Sequence, residues 1–204
     1  MENVTYLFPL TQTVLFKKVT LPFHIFEPRY IEMIHDSLER DIPIAIVCYH
    51  PSESYRGEIC VAGMPHILST YPDGRLDIYI TGEVKCRLTD LESQTPYKAY
   101  QYKEIPEDVM WDDSIEIEID SLRIMLEKWA NQYLPEEAQR EAFSNTLEDP
   151  EVLVNYCALF LIDDWLIRQD VMKASTLDEK VRIVLQAVGP REISLGPFMP
   201  TLRF

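Results

Sequence analysis

Residues 72–88 read PDGRLDIYITGEVKCRL, and their pattern decides the fold. After Asp73-Gly74, a pair that favours the tight turn of a hairpin, apolar and polar side chains alternate with period two. Leu76, Ile78, Ile80, Val84, Cys86 and Leu88 point one way, and Asp77, Tyr79, Thr81, Glu83, Lys85 and Arg87 point the other. The run predicts one long half-buried strand, too long to stay in a flat sheet. Gly82 sits at its middle, where a bulge or a barrel corner is tolerated.

The flanking sequence extends this pattern. EICVAGMPHILSTY (58–71) precedes the turn and YKAYQYKEI (97–105) follows Pro96, which predicts an antiparallel meander that curls into a small barrel. IPIAIVCY (42–49) is continuously apolar and β-branched, as a strand covered on both faces requires. One helix interrupts the strands at PRYIEMIHDSLER (28–40), where Tyr30, Ile31, Met33, Ile34 and Leu38 form an apolar stripe.

Beyond about residue 110 the period becomes helical. Ser114 can cap a helix to Tyr133, although Ile115, Ile117 and Ile119 alternate as a strand would. A short helix is expected over 136–146. Asp149-Pro150 then supplies an N-cap and an N1 proline for a helix through VLVNYCALFLIDDWLI, whose all-round apolarity implies burial. Thr176 with Glu179 makes a capping box for a last helix that Gly189-Pro190 stops. The reading is α+β: a β-barrel subdomain over residues 1–108, then a helical bundle with an extended apolar tail over 109–204.

Composition excludes several function classes. Net charge is −15, with 14 acidic and 10 basic side chains in residues 1–105 against 20 and 9 in residues 106–204. So negative a surface repels phosphate backbones, and nucleic acid is not an expected partner. No basic leader precedes an apolar run and no run approaches the ~20 residues of a membrane span, so the expected place is the cytoplasm, with no membrane partner. Cys48, Cys60, Cys86 and Cys157 form no C-x-x-C pair, and His24, His35, His50 and His66 show no metal-ligand spacing. Buried reduced thiols and no metal or other cofactor are expected.

The ordered pieces Leu7-Phe8-Pro9-Leu10, Val14-Leu15-Phe16, Leu21-Pro22, His24-Ile25-Phe26-Glu27, Arg29-Tyr30, Gly63, Asp73-Gly74, Gly82 and Pro96-Tyr97 resemble the N-terminal domain of the Lon protease family. That family follows its barrel with a bundle opened by D-P-x-x-L, matched by Asp149-Pro150 and Leu153. One departure is Lys17-Lys18, where the family usually has proline and glycine. The resemblance implies a PUA-like pseudobarrel with one inserted helix, followed by helices. None of the six glycines opens a G-x-x-x-x-G-K-[ST] phosphate loop. The resemblance therefore implies a free-standing substrate-binding-like domain, not an enzyme, that holds exposed polypeptide or a protein partner in a groove between barrel and bundle, with weak self-association. Cereblon-like substrate receptors carry the same domain type. A small-molecule hydrolase on a PUA-like scaffold is the competing reading, and an RNA-binding PUA-type domain the third.

Candidate sites divide accordingly. In LPFHIFEPRY (21–30), His24, Glu27, Pro28, Arg29 and Tyr30 read as a corner: Pro28 starts the helix, Glu27 meets its positive end, and Arg29 reaches back to a neighbouring strand. Gly63 and Gly82 complete that structural set. An acid–base pair of His24 with Glu27, or of Cys48 with His50, lacks the further groups that catalysis needs. For peptide binding the candidates are Tyr100, Tyr102 and Lys98 on one strand face, Tyr79 on the polar face of the long strand, and Tyr55 in the polar loop HPSESYRGE (50–58).

Overall fold

A computed structural model describes residues 3–49, 54–107 and 115–189 of the chain. Contacts divide it into two compact units, the first ending at Pro106 and the second beginning at Glu107.

The first unit contains β1 (Asn3–Leu10), β2 (Thr20–Ile25), α1 (Pro28–Arg40), β3 (Ile44–Cys48), β4 (Ile59–Gly63), β5 (Pro65–Thr70), β6 (Leu76–Thr81), β7 (Val84–Ser93) and β8 (Ala99–Glu104). Strands β1-β3-β4-β7-β8 close into a barrel, and β2-β6-β5 form a separate three-stranded sheet. The long alternating run thus becomes two strands, one in each sheet, and Gly82 is the corner between them. A Cβ at Gly82 would stand 2.2 Å from the carbonyl oxygen of Phe16 and 2.8 Å from Val61 Cγ1. Only glycine admits that approach. Its N–H donates to Val19 O at 2.9 Å, and its own carbonyl accepts from Lys18 N at 2.7 Å.

That crossing also explains the departure at Lys17-Lys18. Lys18 has φ +62°, the left-handed region where a Cβ crowds the backbone and glycine is at ease. The turn survives with a lysine in it, at a cost in strain.

The barrel is not purely antiparallel. β1 pairs β8 antiparallel but β3 in parallel, with Tyr6 opposite Ile44 and Leu10 opposite Cys48. Crossover through α1 makes the parallel pairing feasible, and β3, buried at four of its five positions, has the continuous apolar character that a doubly covered strand needs. The barrel core gathers Leu7, Ala45, Val47, Tyr55, Cys60, Ala62, Cys86, Leu88 and Tyr100. Cys60 and Cys86 face each other across β4 and β7 with sulfurs 3.8 Å apart, and their mutual hydrogen bond, with burial, pushes the Cys60 thiol up.

The second unit contains α2 (Glu116–Tyr133), α3 (Glu137–Thr146), α4 (Pro150–Leu161), α5 (Trp165–Lys173) and α6 (Leu177–Val188). The alternation at its start resolves as helix: Ile115 and Ile119 are buried, whereas Ile117 is 80% exposed. Ser114, expected as the cap, lies outside the described residues. Asp149 caps α4 through Glu151 N at 2.9 Å and Val152 N at 3.5 Å. The helix expected to run through Ile167 is instead two helices, because Asp164 accepts from Leu166 N at 2.9 Å and caps α5 afresh. The Thr176 hydroxyl accepts from Glu179 N at 3.2 Å, while the Glu179 carboxylate accepts from Ser175 N at 3.0 Å.

This unit buries charge. Lys180 Nζ lies 2.9 Å from Glu107 Oε1 and 3.4 Å from Glu151 Oε1, with all three side chains no more than 3% exposed. Arg168 is also buried, which pulls its guanidinium below the usual range, and its Nε donates to Ile162 O at 2.6 Å. The apolar tail lies outside the described residues.

Candidate binding groove

Two prolines open the barrel wall. Continuing the β1/β8 register past Tyr6 and Ala99, Pro9 falls opposite Pro96, and neither has an N–H to offer a ladder. The last rung is Leu7 N donating to Lys98 O at 2.9 Å. Beyond it the strands part. The space between them is a groove of about 590 Å³, lined by the ends of β1 and β2, the start of α1, Tyr49, Tyr55 and the segment before β8.

Seven aromatic rings face it: Phe8, Phe23, Phe26, Tyr30, Tyr49, Tyr55 and Tyr97. Phe8 forms the floor, its ring 4.7 Å from that of Tyr30 and 5.7 Å from that of Phe23. Tyr97 packs edge-on to Tyr6 at 4.8 Å and donates its hydroxyl to Asp36 Oδ2. Burial and that carboxylate hold the Tyr97 phenol well above its ordinary range. Burial likewise raises Tyr30, although Arg29 opposes the shift. On the rim, Phe26 is 64% and Tyr49 58% exposed, an unusual position for large apolar rings beside a concavity.

LPFHIFEPRY builds one wall of this groove. Glu27 is the N-cap of α1 and Pro28 occupies its first turn, as the corner reading requires. Arg29 does not tie back to a barrel strand. Its Nε and Nη2 reach Glu27 Oε2 at 3.0 and 2.9 Å, and its guanidinium lies 4.5 Å from the centre of the Tyr30 ring. Two residues apart across the helix start, the pair meets sooner than any strand carboxylate. His24 pairs not with Glu27 but with Asp77, Nδ1 to Oδ1 at 2.6 Å, because β2 and β6 place the two residues opposite each other. Its Nε2 lies 3.5 Å from Arg75 Nη1, and Tyr71 donates to the other Asp77 oxygen at 2.6 Å. This is a base held by a carboxylate but facing a guanidinium. Cys48 donates to Tyr49 O at 3.7 Å; His50, its proposed partner, lies outside the described residues.

Of the five residues read as peptide-binding, Tyr55 and Lys98 line the groove. Tyr100 and Tyr102 do share a strand face with Lys98, but barrel closure turns that face inward. Tyr100 is 1% exposed, and its hydroxyl accepts from Tyr55 N at 3.1 Å; Tyr102 is half-buried against the core. Lys98 stands at the open end, Nζ 5.1 Å from the centre of the Tyr55 ring. Tyr79 stacks on His66 at 4.7 Å in the three-stranded sheet, outside the groove lining. Sequence reading missed Phe8, Phe23, Phe26, Tyr49 and Tyr97 as lining, and gave Tyr30 a structural place only. The available signal was the pair Pro9 and Pro96, each flanked by an aromatic residue.

A closed five-stranded barrel followed by a unit of helices defines a class of small two-part α+β domain. The chain belongs to the family described as the ATP-dependent protease La (LON) substrate-binding domain, whose family model matches residues 4–188. It is similar to Lon protease 2 of Desulfotalea psychrophila (strain LSv54 / DSM 12343), at 23% identity over 208 residues. That match covers 96% of this chain and 26% of the relative, so the chain spans about a quarter of the relative's length. Among solved structures, the N-terminal domain of Mycobacterium avium complex Lon protease superposes with a TM-score of 0.70 at 15% identity, covering 93% of this chain and 100% of that one. A Lon N-terminal domain protein from Xanthomonas campestris gives 0.68 at 14%, covering 90% and 98%. At those identities the likeness establishes the fold.

Proposed function

We propose that the chain is a non-catalytic module that holds exposed apolar segments of other polypeptides in the barrel groove. The observation that carries this reading is the lining: seven aromatic rings around one concavity, with Phe26 and Tyr49 left in solvent. Leaving such a ring exposed forgoes about 1.5–3 kcal/mol, which a bound segment recovers by covering it. Two rim rings and one ligand side chain give a gross gain of about 5–9 kcal/mol, against an association cost of at least about 4. Binding is therefore weak, with a Kd of about 0.2 mM at the tightest, and several copies or several segments raise it by avidity. The family description, a substrate-binding domain, supports the same assignment.

The test is saturation-transfer NMR on the intact chain with an unstructured octapeptide carrying adjacent Phe and Leu. Transfer to the peptide rings is expected, and loss of most of it in Phe26→Ser/Tyr49→Ser. Equal transfer to a peptide with serine at both positions would overturn the reading.

A further inference from the structure

Resting on that groove as a polypeptide site, we infer that the segment binds in extended form, as a strand added along the free edge of β2, and not as a helix. β2 is the outer strand of its sheet, with β6 on one side and no strand of the described residues on the other. Which backbone groups face outward follows from the register. Gly82 N donates to Val19 O at 2.9 Å, and the β2/β6 pairing continues from Thr20 opposite Thr81 to Ile25 opposite Leu76. Hydrogen-bonded pairs alternate along an antiparallel ladder, so Leu21, Phe23 and Ile25 turn their backbone groups to β6. Pro22 and His24 turn theirs away, and such an edge is where a strand tolerates proline. His24 carries this edge into the groove lining.

The end of β1 adds an acceptor. Leu7 N donates to Lys98 O on the β8 side, whereas Tyr6 N donates to Pro43 O and Leu10 O accepts from Tyr49 N on the β3 side. By the same alternation the Pro9 carbonyl faces the opening from which β8 has parted. The two edges together offer the carbonyls of Pro9, Pro22 and His24, but the N–H of His24 alone, because a proline has none to give.

That excess of acceptors chooses the occupant. A second copy of β2 would set one proline edge against another and leave carbonyls without donors. A helix uses its N–H groups internally. An extended segment brings the complementary partial charge, a row of free N–H groups, and its alternate side chains then fall toward the aromatic floor.

The experiment titrates the intact, isotope-labelled chain by NMR with a capped Phe-Leu octapeptide in three forms: unmodified, N-methylated at peptide positions three and five, and N-methylated at positions four and six. One methylated form should bind about five- to tenfold more weakly than the other, because one set of N–H groups faces β2 and the other faces solvent. At unmodified peptide ten times above its Kd, the His24 amide should exchange about tenfold more slowly, with Phe23 and Ile25 unchanged. Equal affinities of the two methylated forms would overturn strand addition and leave the groove reading intact. Protection of the His24 amide that rises with protein concentration in the absence of peptide would overturn it in favour of a second copy. No binding of the unmodified peptide would overturn the groove reading and this inference with it.

Discussion

The two units treat polarity in opposite ways. The barrel unit leaves large apolar rings in solvent at Phe26 and Tyr49, whereas the helical unit takes Lys180, Glu107, Glu151 and Arg168 out of it. Exposed aromatics around a groove are a cost in the isolated fold that a ligand can remove. Buried ion pairs are different: their desolvation is balanced only if every partner stays. The first arrangement points outward to binding, and the second is a matter of internal order. The contrast is not absolute, since the barrel buries Lys85 and the helices expose Ile117.

The largest test of the contrast is Lys180→Met. It removes the cation that both Glu107 and Glu151 meet, and should lower stability by about 3–5 kcal/mol in urea titration. Replacing all three side chains by apolar ones of similar volume should cost much less. If Lys180→Met proved neutral, the helical unit would not be organised around its charges.

Gly82→Ala comes next. The new methyl group would be forced within 2.2 Å of the Phe16 carbonyl oxygen, a backbone atom that cannot step aside, so a loss of about 3 kcal/mol is expected. A smaller gain should come from Lys18→Gly. Relief of the left-handed strain is about 1–2 kcal/mol and the extra backbone entropy of glycine costs about 0.5–1, leaving a rise in stability of up to about 1.5. An unchanged melting temperature would mean that the turn stores no strain.

The smallest expected effect is a pH dependence. In the folded chain Tyr97 keeps its proton above pH 10, where the unfolded chain releases it, so its contribution is complete below pH 10 and is lost as pH rises further. The urea midpoint should fall between about pH 9 and about pH 11, and Tyr97→Phe should flatten part of that fall.

Much of this was legible in the sequence. The alternation over 76–88 named the inward residues correctly, except that Lys85 on the polar side is also buried. Asp149-Pro150, Thr176 with Glu179, and Pro28 marked helix starts because capping chemistry is local. What alternation does not carry is the direction in which a face turns. It put Lys98, Tyr100 and Tyr102 together, but barrel closure hides Tyr100 and leaves Lys98 at the mouth. It likewise could not show that one alternating run changes sheets at Gly82, since both halves keep the same period. The groove depends on β1 and β8 parting beyond Leu7 and Lys98, next to Pro9 and Pro96, two prolines 87 positions apart that no local pattern links.

The central claim, that the barrel groove is where polypeptide binds, is tested most directly by mapping amide shifts in the isotope-labelled chain as the Phe-Leu octapeptide is added. The account predicts shifts concentrated at Leu10, Phe26, Tyr49, Tyr97 and Lys98, saturating together and abolished in Phe26→Ser/Tyr49→Ser. Shifts concentrated on the helices from α2 to α6, with those five amides unmoved, would contradict it.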